Sequence, residues 1–101
     1  MQTKKKSQAL ISDAPKLLET TSRAVADLEE STSLSCIFGG NPEPEITWFK
    51  ESKIVGSGNR LLLNSVSRAD SGVFTCVGQN SLGSQAAQVT LDFDLKLRPF
   101  I

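Results

Sequence analysis

The sequence predicts an all-β chain folded as a two-sheet antiparallel β-sandwich. Apolar and polar residues alternate in short runs, clusters of glycine, proline and asparagine bound those runs, and no stretch sustains an amphipathic helical period. With 101 residues the chain is sized for one domain. No internal repeat is visible.

The elements follow in order. Residues 1–14 lack sustained periodicity and read as a flexible tail, an inter-domain linker or an expression leader. Lys4, Lys5 and Lys6 precede only three apolar residues, Ala9-Leu10-Ile11. That is far short of the ~7–15 residues of a signal peptide core. A nuclear-localisation or anionic-surface role for the three lysines is the less favoured reading. The domain is expected over residues 15–93, followed by a C-terminal linker at 94–101. Val25–Glu30 is too short for an independent helix and reads as an edge strand with an acidic loop. From Thr32, Leu34, Cys36 and Phe38 share one strand face, with Ser33, Ser35 and Ile37 on the other. The run Gly39-Gly40-Asn41-Pro42-Glu43-Pro44 is expected to break that strand. Ile46 and Trp48 open the next strand on one face, with Thr47 and Phe49 opposite, and Gly56-Ser57-Gly58-Asn59 marks a second turn. Leu61 and Leu63 alternate along the following strand, with Val66 plugging the core after it. Phe74 and Cys76 lie on the face away from Val73, Thr75 and Val77. Asn80-Ser81-Leu82-Gly83 reads as a hairpin connection in which glycine supplies a positive φ. Ala87, Val89 and Leu91 alternate down the last strand.

Charge narrows the function classes. Eleven basic and eleven acidic side chains cancel, but unevenly: residues 1–16 carry net +3, residues 17–91 carry net −3, and residues 92–101 balance. An acidic body is poorly suited to phosphate, so nucleic acid is not an expected partner. No apolar run approaches the ~20 residues of a membrane-spanning helix, so direct membrane insertion is not expected. Histidine is absent, which removes the usual general base and the commonest metal ligand. Cys36 and Cys76 are the only thiols. Without histidine they fall short of a four-ligand zinc site, and they do not form a Cys-x-x-Cys redox pair. Two readings stay open, one disulfide or two buried thiols in a reducing compartment. If bridged, a loop of this size stabilises the fold by about 4 kcal/mol in the chain-entropy picture.

Leu34-x-Cys36, then Trp48, then Asp70-Ser71-Gly72-Val73-Phe74-Thr75-Cys76 form an ordered set. It resembles the strand-B cysteine, strand-C tryptophan and Asp-x-Gly-x-aromatic-x-Cys of strand F in the immunoglobulin superfamily. Gly40-x-Pro42-x-Pro44 and Asn80-x-x-Gly83 are similar to its intermediate (I-set) subgroup. The resemblance covers roughly residues 15–93 and implies a Greek-key sandwich in which Cys36 and Cys76 bridge the sheets beside Trp48. Leu34, Trp48, Leu63 and Phe74 are then core residues. Gly72 leaves room where the chain turns into strand F. Asp70 accepts hydrogen bonds from the loop backbone or pairs with Arg60 or Arg68. The family usually has tyrosine at position 74, whose hydroxyl bonds back to the corner backbone. Phenylalanine keeps the packing without that bond, so Phe74→Tyr is expected to raise the unfolding midpoint by the equivalent of ~0.5–1.5 kcal/mol. A neutral or lower midpoint would mean the corner is built differently. Trp48 and Cys76 lie 28 positions apart, room for a brief C′ or D edge strand but not for the C′ and C″ strands of a variable domain.

No catalytic constellation is legible, and an enzyme is not expected. A Ser-His-Asp arrangement is impossible without histidine, and nothing argues for a buried lysine beside a serine. Gly56-Ser57-Gly58 lacks the remaining glycine and the lysine of a phosphate loop. Glu43 and Glu45 bracket Pro44 as a solvated carboxylate pair. Asp92 and Asp94 are too thin a shell for calcium, and no metal or other cofactor is expected. The acidic run Asp27, Glu29 and Glu30 is read as a solvated loop in preference to a guide for basic ligands. Phe49 and Val77, flanked by Thr47, Thr75, Gln88 and Thr90, face outward on the sheet of strands C, F and G. Such a face is suited to docking a protein. The plainer reading, Phe49 half-covered by its neighbours, is preferred because the sequence shows no contiguous patch.

The resemblance implies two functions. One is a non-catalytic extracellular module of an adhesion, receptor or matrix protein, presenting a surface to a protein partner or spacing neighbouring immunoglobulin or fibronectin-type domains. The other is a structural domain of a giant intracellular muscle or cytoskeletal protein, which Pro44-Glu45-Ile46-Thr47-Trp48-Phe49-Lys50 also resembles. No Asn-x-Ser/Thr sequon occurs, which fits either. The extracellular reading is preferred, because a reducing cytosol forfeits the disulfide.

Overall fold

The computed structural model describes residues 12–93; the expected tail around Lys4–Lys6 and the linker at 94–101 lie outside the described residues, apart from the tail's last three positions. Among the described residues there are eight strands: β1 Asp13–Thr20, β2 Arg23–Ala26, β3 Thr32–Asn41, β4 Glu45–Lys50, β5 Lys53–Ser57, β6 Arg60–Leu63, β7 Gly72–Asn80 and β8 Gly83–Phe93. They form one sheet in the order β1-β3-β6 and a second in the order β2-β8-β7-β4-β5. After β3 the chain crosses to the second sheet at β4, returns at β6 and crosses again at β7, the Greek-key path of an immunoglobulin-like sandwich.

The alternation read from the sequence sets the inward faces. Leu34, Cys36 and Phe38 of β3, Ile46 and Trp48 of β4, Leu61 of β6, Phe74 and Cys76 of β7, and Val89 and Leu91 of β8 are buried together with Val66 and Ala26. Leu63 lies at the margin, only partly buried and packed against this cluster from the end of the short β6. Cys36 and Cys76 are joined by a disulfide across the two sheets, with both residues fully buried. Trp48 pairs with Cys76 across β4 and β7 and donates its indole N–H to the Gly58 carbonyl at 2.8 Å, so its one polar atom is satisfied. The ring of Phe38 lies against the backbone of Gly78: a Cβ there would fall 2.7 Å from Phe38 Cγ, closer than packed atoms tolerate.

Four local features differ from expectation. β3 does not end at Gly39; pairing of Lys16 with Gly39 and of Asp13 with Asn41 carries it on to Asn41, and the break begins at Pro42. Gly56 and Ser57 belong to β5, because they pair with Trp48 and Thr47, so the turn shrinks to Gly58-Asn59. The sandwich is antiparallel except at one edge, where β2 runs parallel to β8. That pairing arises because the chain leaves the first sheet after Thr20 and joins the second at Arg23, through Ser22 at φ +50°. Lastly, a single 3-10 turn at Arg68–Asp70 shapes the corner before β7.

Candidate functional site

Paired residues of neighbouring strands project from the same side of a sheet, so the register defines the outer face of the five-stranded sheet. One row runs Ile54, Phe49, Thr75, Gln88; the next runs Ser57, Thr47, Val77, Ala86; a third holds Val73, Thr90 and Arg23. Phe49, Val77, Thr47 and Thr75 are half-buried by these neighbours, and Gln88 is exposed. Of the residues singled out from the sequence, Phe49, Thr75, Gln88, Thr47 and Val77 thus occupy two adjacent rows, and Thr90 falls in the third. Ile54 and Val73 enlarge the apolar part of the face, at 70% and 47% exposure. Ile54 was not legible as a member, because a bulge between the pairings of Trp48 and Phe49 decides which side of β5 it takes. Charge is confined to the margins: Arg23 pairs with Asp92 at 2.6 Å on the β2 edge, and Glu45 stands at the far end of β4.

The two turn-rich ends of the sandwich hold two further sets of polar groups. At one end Asn80 donates its side-chain amide to the carbonyls of Asp13, at 2.7 Å, and Pro42, at 2.8 Å, while its oxygen accepts the Leu82 N–H at 2.8 Å. One side chain therefore joins the start of β1, the β3–β4 connection and the β7–β8 hairpin. Gln85 adds a second tie by accepting the Leu17 N–H at 2.6 Å. Beside Asn80 lies a depression of about 450 Å³ lined by Glu43, Glu45, Thr47, Gln79 and Ser81. Both carboxylates there are exposed.

At the other end Asp70 accepts the Ser67 N–H at 2.8 Å and the Ser67 hydroxyl at 3.3 Å, closing the corner. It makes no ion pair with Arg60 or Arg68 among the described residues. Gly72 takes φ +122° where the chain enters β7. The acidic segment after β2 is fastened by its backbone: Glu29 N–H bonds to the Val66 carbonyl and Val66 N–H to the Glu30 carbonyl. Asp92 is engaged by Arg23, and Asp94 lies outside the described residues.

These features coincide with what is known of other proteins. The family model for the immunoglobulin domain matches residues 14–80, and the chain belongs to that family. Over 96 residues, 87% of the chain, it is 31% identical to titin of Drosophila melanogaster. It is 35% identical over 86% of its length to vascular endothelial growth factor receptor 1 of Mus musculus, spanning 8% of that protein. With the muscle M-line assembly protein unc-89 of Caenorhabditis elegans the identity is 35% over 70% of the chain and 1% of the relative. The chain thus spans less than a tenth of each of these relatives, and they include a receptor and a muscle assembly protein. Among solved structures, the complex of Dpr11 IG1 bound to DIP-gamma superposes with a TM-score of 0.77 at 21% identity, covering 82% of this chain and 49% of that one, a likeness of fold.

Proposed function

We propose that this chain is a non-catalytic, extracellular I-set immunoglobulin module that presents a rigid surface to a protein partner or spaces neighbouring domains of a larger protein. The observation that carries this reading is the Cys36–Cys76 disulfide, buried between the sheets beside Trp48. A bridge of this kind contributes about 4 kcal/mol only where it stays oxidised, which favours a secreted or cell-surface setting. Similarity to a growth-factor receptor supports the same side. The I-set assignment is supported by the role of Asn80, whose three hydrogen bonds give the Asn80-x-x-Gly83 motif a structural purpose.

Protein partners are favoured over small ligands by the outer face of the five-stranded sheet. Its centre, around Phe49, Val77, Thr47, Thr75 and Gln88, is mixed in polarity and free of formal charge. Phe49 is half-covered by its own neighbours, so its exposure alone does not call for a partner. The domain is taken to span residues 15–93, with β1 beginning two positions earlier at Asp13.

The second reading is a structural domain of a giant intracellular protein, favoured by the likeness to titin and to the M-line protein. Mass spectrometry of native protein alkylated before reduction separates the two. Protected Cys36 and Cys76 are expected; freely alkylated thiols would transfer the domain to the reducing cytosol.

A further inference from the structure

We propose that Lys50 is the clasp of the corner leading into β7, holding from the neighbouring strand what a tyrosine hydroxyl at position 74 would hold from within it. Lys50 is the cross-strand partner of Phe74, two residues after the inward-facing Trp48, so its side chain sets out towards the interior at the end of β4. The side chain is only 16% exposed. Its aliphatic stem runs past the position where the chain enters β7: a Cβ at Gly72 would stand 3.8 Å from Lys50 Cε. The stem is sheltered and the ammonium emerges at the corner, the arrangement a long cationic side chain favours.

There the ammonium meets two acceptors of positive charge. It donates to the Ala69 carbonyl at 3.1 Å and stands 5.7 Å from the centre of the Phe74 ring. Ala69 sits in the 3-10 turn Arg68–Asp70. Ser67 O takes the Asp70 N–H, and Arg68 O takes both the N–H and the hydroxyl of Ser71. The Ala69 carbonyl is the one that Lys50 serves. A hydrogen bond from a charged donor is about twice as strong as one between neutral groups, enough to take the place of a phenolic hydroxyl. Glu51, 3.8 Å from the ammonium and 83% exposed at its side chain, adds little. A Cβ at Gly72 would thus only touch the end of the Lys50 side chain, and it is the φ of +122° that calls for glycine there.

The test is a double-mutant cycle of Lys50→Met, Phe74→Tyr and the double variant, read by thermal unfolding and by hydrogen exchange of the Asp70 and Ser71 amides. Methionine keeps the apolar stem and removes only the ammonium. Lys50→Met is expected to lower Tm by about 4–8 °C and to accelerate exchange of the two corner amides about tenfold. Phe74→Tyr should then raise Tm by several degrees more in the Lys50→Met background than in the parent, because only there is the carbonyl without its clasp. An equal or smaller gain in the Lys50→Met background would overturn the proposal, as would a Lys50→Met protein with unchanged Tm and corner exchange. Should Lys50→Met not fold, Lys50→Leu, apolar and without a donor, runs the same cycle under the same criterion.

Discussion

The two ends of this sandwich face the same problem and solve it with different chemistry. At each end strands stop, turns begin, and backbone carbonyls lose their ladder partners. At the end formed by the β3–β4 and β7–β8 connections a neutral amide, Asn80, commits both hydrogens and its oxygen to three backbone groups. At the end formed by the β6–β7 corner the ties are charge-assisted hydrogen bonds: Asp70 collects Ser67, and Lys50 serves Ala69. The amide gathers segments from both sheets, including the start of β1, whereas the charged groups fasten one corner to the strand beside it. The first end should therefore respond to the loss of a single side chain through the whole N-terminal strand, and the second only locally.

The largest effect is expected between the two ends. Replacing Cys36 and Cys76 together by alanine removes the bridge that couples the sheets and should lower stability by about 4 kcal/mol, measured by urea denaturation. Amide exchange in the same variant sharpens the comparison. With the bridge gone, the Leu17 amide and the corner amides should all become faster, because neither end's ties can replace a connection through the core. Loss of protection at one end alone would mean the bridge serves that end and not the sandwich.

Asn80 comes next. Asn80→Ala leaves the Asp13 and Pro42 carbonyls to solvent and should cost about 1–2 kcal/mol, with β1 freed before the rest of the fold. Asn80→Asp is the sharper probe, since it keeps the size and the acceptor but turns a carboxylate oxygen towards two carbonyls. It should be more destabilising than alanine at neutral pH. If Asn80→Asp and Asn80→Ala unfold at the same midpoint, the two donated hydrogen bonds are not what hold this end.

Much of this architecture is legible in the chain because burial imposes a period of two. Leu34-x-Cys36-x-Phe38 and Phe74-x-Cys76 can face the core only as strands, and the prolines at 42 and 44 mark where a ladder must stop. What was not legible depends on pairing between distant segments. The parallel contact of β2 with β8 has no local signature, because Ala24 and Ala26 would alternate the same way beside any neighbour. Ile54 joins the outer face through a bulge that exists only once β4 and β5 are paired. Lys50 reads as one more surface charge until the register sets it opposite Phe74. A hydrogen bond to a backbone carbonyl nineteen positions away leaves no trace in composition or spacing.

The smallest effect concerns strain at the second end. The β4–β5 hairpin turns on Glu51 and Ser52, both left-handed, at φ +52° and +68°. Two-residue hairpin loops call for this geometry, because its twist matches the strands, but a side chain there meets the following carbonyl at a cost of about 1–2 kcal/mol. Ser52→Gly removes that clash and adds about 0.5–1 kcal/mol of chain freedom to the unfolded state. The balance is an expected gain of about 0.5–1 kcal/mol, a small rise in the thermal midpoint. The substitution touches neither the Lys50 ammonium nor the Ala69 carbonyl, so corner exchange through local opening should stay as it is. A faster Ser71 amide in Ser52→Gly would show that the hairpin's rigidity, and not the lysine's charge, positions the clasp; the charged end would then owe its order to the same local chain geometry as any other turn.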